Sequence, residues 1–382
     1  MPSTPSAPRI ANSFVLFFVS TTFAILTPVL LWAQTPSESD ISLKFGGLLH
    51  GEASYGWIVD DQASNERSRV GFGLHRTRLR ATARLGPKFG AFIHLDADNG
   101  TFGVLDAFAS YDASPRVRVR VGRMISAMPR AFILTPLFAM DALDRASIAL
   151  RWGAITLGNK GRDYGVDLRY ATDHAEATIF LHNGFGSFDR VRGNYQEGIV
   201  GDVTGGADRK PKDLAVSFYG AVRPVSGVEV GGFAGYNGSR NPTTEVTGIG
   251  RRYVSYSAHA YWGAEPGSQP IRLKADLVGI NFEKRGAIDA QNVLGLAFLG
   301  AFAVHRAAEL FARVETFDPN LDTDGTRDLY GTAGFSFSPS RLRGRPYGQE
   351  RLTFAYSARL PENDDTPQHH LLQLLLQVNF QQ

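Results

Sequence analysis

The sequence predicts an all-β protein, a transmembrane antiparallel β-barrel of about 16 strands with one loop folded inward as a constriction. Most of the chain consists of segments of roughly ten residues that alternate apolar with polar or small side chains, as strands with two different faces do. Short turns and long loops alternate between these segments, which is typical of outer-membrane barrels. Arginines recur on one parity of several segments, and such side chains need a water-filled interior.

Length and composition indicate one unit after the N-terminal segment. No linker or change of composition divides the 382 residues there. Apolar residues, 43% of the total, are scattered rather than collected into runs of about 20 that a membrane helix needs. Cysteine is absent, which excludes disulfides, thiolate metal sites and a lipoprotein anchor. The net charge of +3 is not the large basic excess of nucleic-acid-binding proteins, so neither a nucleic-acid partner nor a cofactor is predicted.

The first 33 residues resemble a secretory signal. Arg9 precedes an apolar stretch that begins at Phe14 and ends at the small residue Ala33, after which we predict cleavage. The chain then divides into a signal peptide, 1–33, and a barrel, 34–382, which is exported through the periplasm to the outer membrane of a Gram-negative cell. The alternative is an uncleaved anchor, because Leu31 is larger than the residue usual at that position and the apolar stretch is long enough to span a bilayer.

Alternation is clearest at the two ends of the exported chain. In the opening segment the apolar parity runs from Ile41 to Trp57, while His50 lies on the polar parity. In the last segment an aliphatic row begins at Leu372 and ends in Phe380, as in a strand that faces lipid with its ring at the interface. The other predicted strands are approximately 71–85, 88–98, 102–112, 116–124, 160–171, 175–184, 212–223, 227–236, 251–263, 270–281, 290–303, 306–318, 328–338 and 349–359, and the last is 370–380.

The connections favour a membrane barrel over a soluble sandwich, in which strands also alternate. Even-numbered strands end at short turns such as 86–87, whereas odd-numbered strands mostly end at longer loops. Two connections, 99–101 and 339–348, do not follow this rule. In hydrocarbon every backbone group needs a partner, which strands find only in a closed barrel. The predicted long loops are 58–70, 125–159, 185–211 and 237–250.

Cationic side chains recur opposite the apolar row in three segments. A guanidinium that faced lipid near mid-depth would cost roughly 2 to 4 kcal/mol, so these groups are predicted to face the lumen. Fixed cations in a narrow pore favour anions at several weak sites in succession. The predicted pore-lining anion path is Arg76, Arg78, Arg80, Arg84, Arg118, Arg120, Arg272 and Lys274. The alternative is that they only pair with acids across the lumen. Inward parities also hold Asp96, Asp98, Asp106, Asp112, Glu309 and Glu315.

The longest loop, 125–159, is richer in apolar residues than an exposed loop should be. Folding into the barrel would bury that surface, so we predict that the loop constricts the pore. The alternative is an outer loop packed on a neighbouring subunit. The charged residues expected to line the constriction are Arg130, Asp141, Asp144, Arg145 and Arg151.

Neither an enzyme nor a metal site is predicted. The best catalytic material is His94 with Asp96, and His182, but no serine sits in a nucleophile elbow. The loop 318–328 contains the register that begins a calcium loop, yet Gly331 stands where the bidentate Glu is required. A surface turn is the better interpretation of that loop.

Six short motifs together resemble the phosphate-selective porin O and P family over most of the exported chain. The motifs are Arg78-Leu79-Arg80, 105–111 (LDAFASY), 119–123 (VRVGR), 161–166 (GRDYGV), 182–184 (HNG) and 312–316 (ARVET). The resemblance implies a sixteen-stranded trimeric porin whose pore arginines and lysines pass phosphate or polyphosphate. The chain departs from the family after Arg123, where a polar residue, Lys and Pro-Phe-Gly are usual and 124–129 reads MISAMP instead.

The predicted function is a diffusion channel for small anions, with phosphate or polyphosphate as candidate solutes. Its expected partners are outer-membrane lipid and lipopolysaccharide, small anionic solutes and further copies of itself in a homotrimer. Two alternatives stay open at this stage, a general nutrient porin without anion selectivity and a non-conducting structural barrel. Ion conductance distinguishes the second from a channel.

Overall fold

A computed structural model describes residues 41–59, 67–97, 102–156, 161–184, 214–238, 252–284 and 289–381. The predicted signal peptide 1–33, Asp98, the whole of the predicted loop 185–211 and most of the predicted loops 58–70 and 237–250 lie outside these residues. In the part of the chain that is described, no helix is both long and apolar enough to cross a membrane.

Sixteen antiparallel strands close into one barrel, in which each strand pairs with its neighbours in sequence and β1 pairs with β16. Each predicted segment corresponds to one strand, so the predicted fold class is confirmed. The strands are β1 (Ile41–Val59), β2 (Arg67–Leu85), β3 (Phe89–Asp96), β4 (Gly103–Asp112), β5 (Val117–Met124), β6 (Asp163–Ala171), β7 (Ala175–His182), β8 (Ala215–Val222), β9 (Val228–Asn237), β10 (Tyr253–Trp262), β11 (Ile271–Phe282), β12 (Gln291–His305), β13 (Ala308–Asp318), β14 (Asp328–Phe337), β15 (Glu350–Pro361) and β16 (Gln368–Gln381).

The outward faces of the strands carry apolar side chains that are exposed. Leu43 on β1 and Phe298 on β12 are each 61% exposed, and comparable side chains recur on the outward parity around the barrel. The opposite parity holds buried polar groups such as Arg272 and Glu315. Apolar surface on this scale would be unfavourable in water, whereas it suits hydrocarbon. The exterior is therefore built to face lipid.

The two ends of the barrel differ in their connections. The turn end holds the start of β1, the end of β16 and connections as short as 306–307, while the loop end holds the connections that follow odd-numbered strands. The exceptional connection 338–349 is a folded turn rather than a loop. It contains the short helix α2 (Pro339–Leu342), whose N-cap Ser338 accepts a hydrogen bond from the backbone of Arg341. An earlier helix, α1, spans Ser147–Ile155.

A β-bulge in β2 changes which side chains reach the interior. The pairing of β1 with β2 shifts between His50 and Gly51, so that His50 lies opposite Arg76 and Gly51 lies opposite Leu74. The extra residue is His75, which joins Arg76 on the inward side, and both side chains contact Asp144. Simple alternation cannot anticipate this second inward group, because a bulge resets the parity of the strand.

Residues 125–156 pack against inward-facing side chains of the barrel. They contain a π-helical turn (Arg130–Leu134), a 3-10 turn (Leu137–Ala139) and α1, which packs on β11, β12 and β13. Trp152 of α1 lies edge-on to Phe132 and to Phe233 of β9, with ring centroids 5.4 and 5.7 Å apart. Each fully buried large apolar side chain contributes roughly 1.5–3 kcal/mol. The segment thus forms a hydrophobic core with one half of the barrel wall.

Candidate functional site

The predicted arginines of β2, namely Arg76, Arg78, Arg80 and Arg84, lie on the inward face, and three of them have carboxylate partners at ion-pair distance. Arg76 Nη2 donates to Asp144 Oδ1 at 2.8 Å, which joins β2 to the loop. Arg78 Nε lies 2.9 Å from Asp96 Oδ1 on β3. Arg84 pairs at 2.8 Å with Asp112 of β4, near the turn end. These arginines therefore face inward, as predicted. Three of them also pair with carboxylates inside the barrel, which is the alternative role that the sequence left open.

The β5 arginines differ in their surroundings. Arg118 pairs with Asp112 and is half exposed near the turn end. Arg120 donates from Nε to Asp167 Oδ1 of β6 at 3.0 Å, and its guanidinium lies 5.1 Å from the centre of the Phe108 ring. Only the second of these arginines borders the large cavity described below.

The two cations of β11 bind the loop and do not line an open pore. Arg272 is 0% exposed; it pairs with Glu309 of β13, and its Nη1 donates to Asp141 Oδ1 at 2.7 Å. Lys274 Nζ donates to the other oxygen of Asp141 at 2.7 Å. Burial alone would raise the pKa of Asp141, but Lys274 and Arg272 lower it to about 2. These two predicted path residues are thus structural anchors that lack contact with the large cavity.

The remaining loop charges reach other parts of the wall. Arg130 Nε donates to Glu229 of β9 at 2.8 Å. Arg151 is partly exposed, and its Nη2 is 3.8 Å from Asp328 of β14. Asp144 and Asp141, already described, bind β2 and β11, which lie on nearly opposite sides of the barrel.

A cavity of about 590 Å³ lies between the wall formed by β1–β5 and the loop. On the wall side its lining is cationic, and Asp106 is the carboxylate among the lining residues. The arginines that line it are Arg76, Arg78, Arg80, Arg120, Arg145 and Arg162. On the loop side most of the lining is apolar, and Thr135 and Arg145 are its polar members. The apolar residues are Ile125, Phe132, Ile133, Pro136, Leu137, Phe138 and Leu150.

A second cavity of about 380 Å³ lies at the turn end, beside the turns 263–270 and 338–349. It shares three lining residues with the large cavity, namely Arg80, Phe138 and Asn379. The two cavities therefore meet at a junction formed by β2, β16 and the loop. Among the predicted path residues, Arg80 is the one that borders both.

Several buried cations of this interior were missing from the predicted path, including Arg162, Arg313 and Arg351. Arg162 lies in the predicted segment 160–171 but precedes β6 in the structure, and it donates to both carboxylate oxygens of Asp106 at 3.1 and 3.2 Å. Arg313 lies on the inward parity of β13 and donates to Glu315 at 2.7 Å. Arg313 lies two residues before Glu315 on the same strand, so alternation predicts an inward side chain for both.

The histidines weighed for catalysis serve other contacts. His94 Nδ1 is 2.8 Å from Asp106 on the next strand, rather than paired with Asp96. His182 lies between Asp163 and Ser217, with Nδ1 to Oδ2 at 2.7 Å and Nε2 to Oγ at 2.9 Å.

The His182 connectivity is that of a catalytic triad. Ser217 is buried, however, and the cavity beside it measures about 10 Å³. That volume has room for about one water molecule and none for a substrate. The cluster therefore satisfies buried polar groups of β6, β7 and β8.

The turn at 318–328 uses its oxygens internally. Asp318 accepts hydrogen bonds from the Asn320 backbone at 3.0 Å and from the Thr326 hydroxyl at 2.7 Å. Among the residues that the structure describes, no group of three or more His, Asp or Glu side chains is arranged to hold a metal ion.

Comparison with known proteins shows the fold. No family model matches the chain, and no curated protein matches its sequence. The outer membrane channel DcaP of Acinetobacter baumannii has a TM-score of 0.59 at 12% identity, over 91% of this chain and 100% of that one. The trimer form of OmpT, an outer membrane protein of Vibrio cholerae, has 0.55 at 9% identity, over 89% and 99%. OprB of Pseudomonas putida has 0.56 at 12% identity, over 90% and 95%.

Proposed function

We propose that this protein is a diffusion channel of the Gram-negative outer membrane that favours small anions. The observation that carries the proposal is a closed barrel with a lipid-suited exterior and an internal cavity of about 590 Å³ that is lined by six arginines and one carboxylate. A closed barrel satisfies every backbone group in hydrocarbon, and fixed cations along a narrow aqueous path attract anions. The turn end faces the periplasm, as short turns do in such barrels.

The balance of charge around the cavity supports anion preference. Four of its arginines have carboxylate partners, so their charges are largely compensated. Arg145 instead donates to the Thr135 carbonyl at 2.9 Å, an acceptor without net charge. Burial and the nearby Arg76, Arg162 and Arg78 lower the pKa of Arg145 to about 9, which still leaves it cationic at neutral pH. The nearby Asp144 offsets this charge only in part, so an anion that enters the cavity gains a further attraction to Arg145.

The path runs along the β1–β5 wall, through the large cavity and the junction, to the turn end. The loop narrows this path, because residues 125–156 fill the other half of the interior. Arg80 and Asn379 from the wall meet Phe138 from the loop at the point common to both cavities. This junction is the constriction of the proposed pore, and Arg80 is its charged residue.

Phosphate and polyphosphate are the narrower candidate solutes. Guanidinium groups bind such oxyanions through two parallel hydrogen bonds. A general porin without strong selectivity is the second candidate function, and the ion pairs of Arg78 with Asp96 and of Arg120 with Asp167 favour it. Measured selectivity separates the two.

The expected partners follow from the exterior. Membrane lipid and lipopolysaccharide would cover the apolar outward faces. Strands β3 to β8 have only eight to ten residues, against 19 in β1 and β2. A spanning strand takes about 9–11 residues, so β3 to β8 extend little beyond the membrane, and we propose that this side contacts other copies in a homotrimer.

Current through planar bilayers tests the proposal. The protein, refolded in detergent and inserted into a bilayer, is measured for its reversal potential under a KCl gradient, with and without added phosphate. We expect open channels with a reversal potential of the sign for chloride preference, and a reduced chloride current with phosphate. Absence of conductance would overturn the channel, preference for potassium would overturn the anion selectivity, and an unchanged chloride current would overturn the phosphate proposal.

A further inference from the structure

We infer that the large cavity binds organic anions that carry an apolar body, with the carboxylate on the arginine wall and the body on the loop. The inference rests on the proposed channel function and names a substrate class for the same interior. Benzoate, a carboxylate on one aromatic ring, is the simplest probe of that class. Inorganic anions such as phosphate have no apolar part to use the loop side.

The division of the cavity lining carries the inference. Five of the six guanidinium groups come from the barrel side, while the loop contributes mainly aliphatic and aromatic side chains together with Arg145. Small-molecule sites combine apolar walls with a few fixed polar groups in this way. An oxyanion alone would contact only the first side, and a neutral apolar molecule only the second. A ligand that has both parts gains from both.

Leu150 shows that the apolar side is open to the cavity. It lies on α1, two residues before the buried Trp152, yet 42% of it is exposed. Its exposed surface borders the large cavity instead of the core. Apolar surface that faces water inside a lumen is unfavourable, and the body of a ligand would cover it.

Aromatic rings also lie beside the cations on the wall itself. Phe92 of β3 and Phe108 of β4 are neighbours, with centroids 5.2 Å apart, and both border the cavity. The Arg120 guanidinium lies over Phe108 at 5.1 Å. These rings border the charged end of the ligand, where guanidinium groups can donate hydrogen bonds to its oxygens while its body packs on the loop.

The size of the cavity fits this class of ligand. Its volume of about 590 Å³ lies within the range of small-molecule pockets, roughly 300–1,000 Å³. Because the cavity leads to the junction at Arg80, a bound organic anion would obstruct the path of inorganic ions. Binding would therefore appear as a saturable decrease in chloride current.

The first experiment compares four probes as blockers of chloride current, namely benzoate, acetate, phosphate and benzyl alcohol. Burial of the ring contributes about 1.5–3 kcal/mol, so we expect benzoate to block at a concentration at least about tenfold lower than acetate. Phosphate should resemble acetate, and benzyl alcohol, which has no charge, should not block. Equal block by benzoate and acetate would overturn the inference, as would block by benzyl alcohol at the benzoate concentration.

Two variants locate the site. Leu150→Ser removes apolar surface from the cavity side of α1 and should weaken block by benzoate several-fold, with block by acetate unchanged. Val225→Ser is the matched control, because Val225 is also an exposed apolar residue but lies in the turn between β8 and β9, outside the cavity. Unchanged benzoate block in Leu150→Ser would overturn the assignment of the ligand body to the loop.

Calorimetry keeps this inference separate from the channel proposal. Titration of benzoate into the detergent-solubilised protein measures binding whether or not the barrel conducts. Saturable binding that weakens in Leu150→Ser, without conductance, would support the site and overturn the channel. Anion-selective conductance without tighter binding of benzoate than of acetate would do the reverse.

Discussion

The two halves of the barrel interior use the same inward parity for different purposes. On the β1–β5 side, the inward residues that border a cavity include arginines, two phenylalanines, His94 and Asp106. From β7 to β14, inward residues such as Phe180, Ile280 and Phe317 are buried against the loop. A residue that faces inward is therefore not necessarily part of a pore. One half of the wall lines a path, and the other half is a protein core.

The cations divide in the same way. Arg272 and Lys274 belong to the packed half, where they neutralise a buried carboxylate of the loop. Arg76 is intermediate, because it borders the cavity and also binds Asp144. Substitutions in the packed half should therefore change stability, and substitutions on the cavity side should change selectivity.

The largest expected effect is in the packed half. Arg272→Ala leaves Glu309 and Asp141 buried with less neutralising charge, and breaking a buried pair in this way costs about 3–5 kcal/mol. Denaturant unfolding in detergent measures the loss in free energy of unfolding. The control is Arg343→Ala, which breaks an exposed pair with Glu350 in the turn and should have little effect. Equal stability of the two variants would contradict the role of Arg272 as an anchor.

The next test uses two neighbours on α1. Trp152 is 1% exposed in the core, and Trp152→Ala should lower the free energy of unfolding by about 3–5 kcal/mol. Leu150→Ala, on the cavity side of the same helix, should cost less than about 1 kcal/mol, because the side chain is already half in water. The difference between the two unfolding curves is the readout. A similar cost for both would mean that α1 does not separate the core from the cavity.

A smaller energetic effect, visible in selectivity, is expected at the junction. Arg80→Gln removes the cation common to both cavities, and an interaction of about 1 kcal/mol between charges 4 Å apart in water corresponds to roughly a fivefold drop in the anion-to-cation permeability ratio. Arg118→Gln is the control, since Arg118 faces inward but does not border either cavity. Reversal potentials measure both. A larger shift in Arg118→Gln would place the selective point nearer the turn end.

Much of the fold could be predicted from the sequence, because the alternation of side chains along a strand is a local property. Alternation located all sixteen strands and the inward arginines of β2. Alternation does not show which residues meet across the barrel. That Asp141 meets β11 and Asp144 meets β2 depends on how a loop folds between walls, and no spacing rule encodes it. The division into a cavity half and a packed half, and the contribution of Arg162 from outside a strand, emerge only in three dimensions.

The smallest expected effect concerns pH and the attachment of the loop. The pKa of Asp141 is about 2, below the ordinary value of a carboxyl group, so the folded protein holds it ionised. A carboxyl group with a lowered pKa contributes its stability above the unfolded pKa, near 4, and that contribution is lost as the pH falls toward 2. Conductance should therefore stay nearly constant from pH 7 to about pH 4.

The groups that act on Asp141 come from three strands. Arg272 and Lys274 lie on β11, Tyr261 on β10 and Arg351 on β15. Single-channel recordings at stepwise lower pH measure the result, and Asp141→Asn at pH 7 reproduces the loss of charge without acid. The conductance of Asp141→Asn is compared with that of the unmodified protein, first at pH 7 and then at pH 3. Equal conductance of the two proteins at both pH values would mean that the charge on Asp141 does not hold the loop. An opening of the pore already at pH 5 would contradict the role of Asp141, because its carboxyl group is still ionised in the folded protein at that pH.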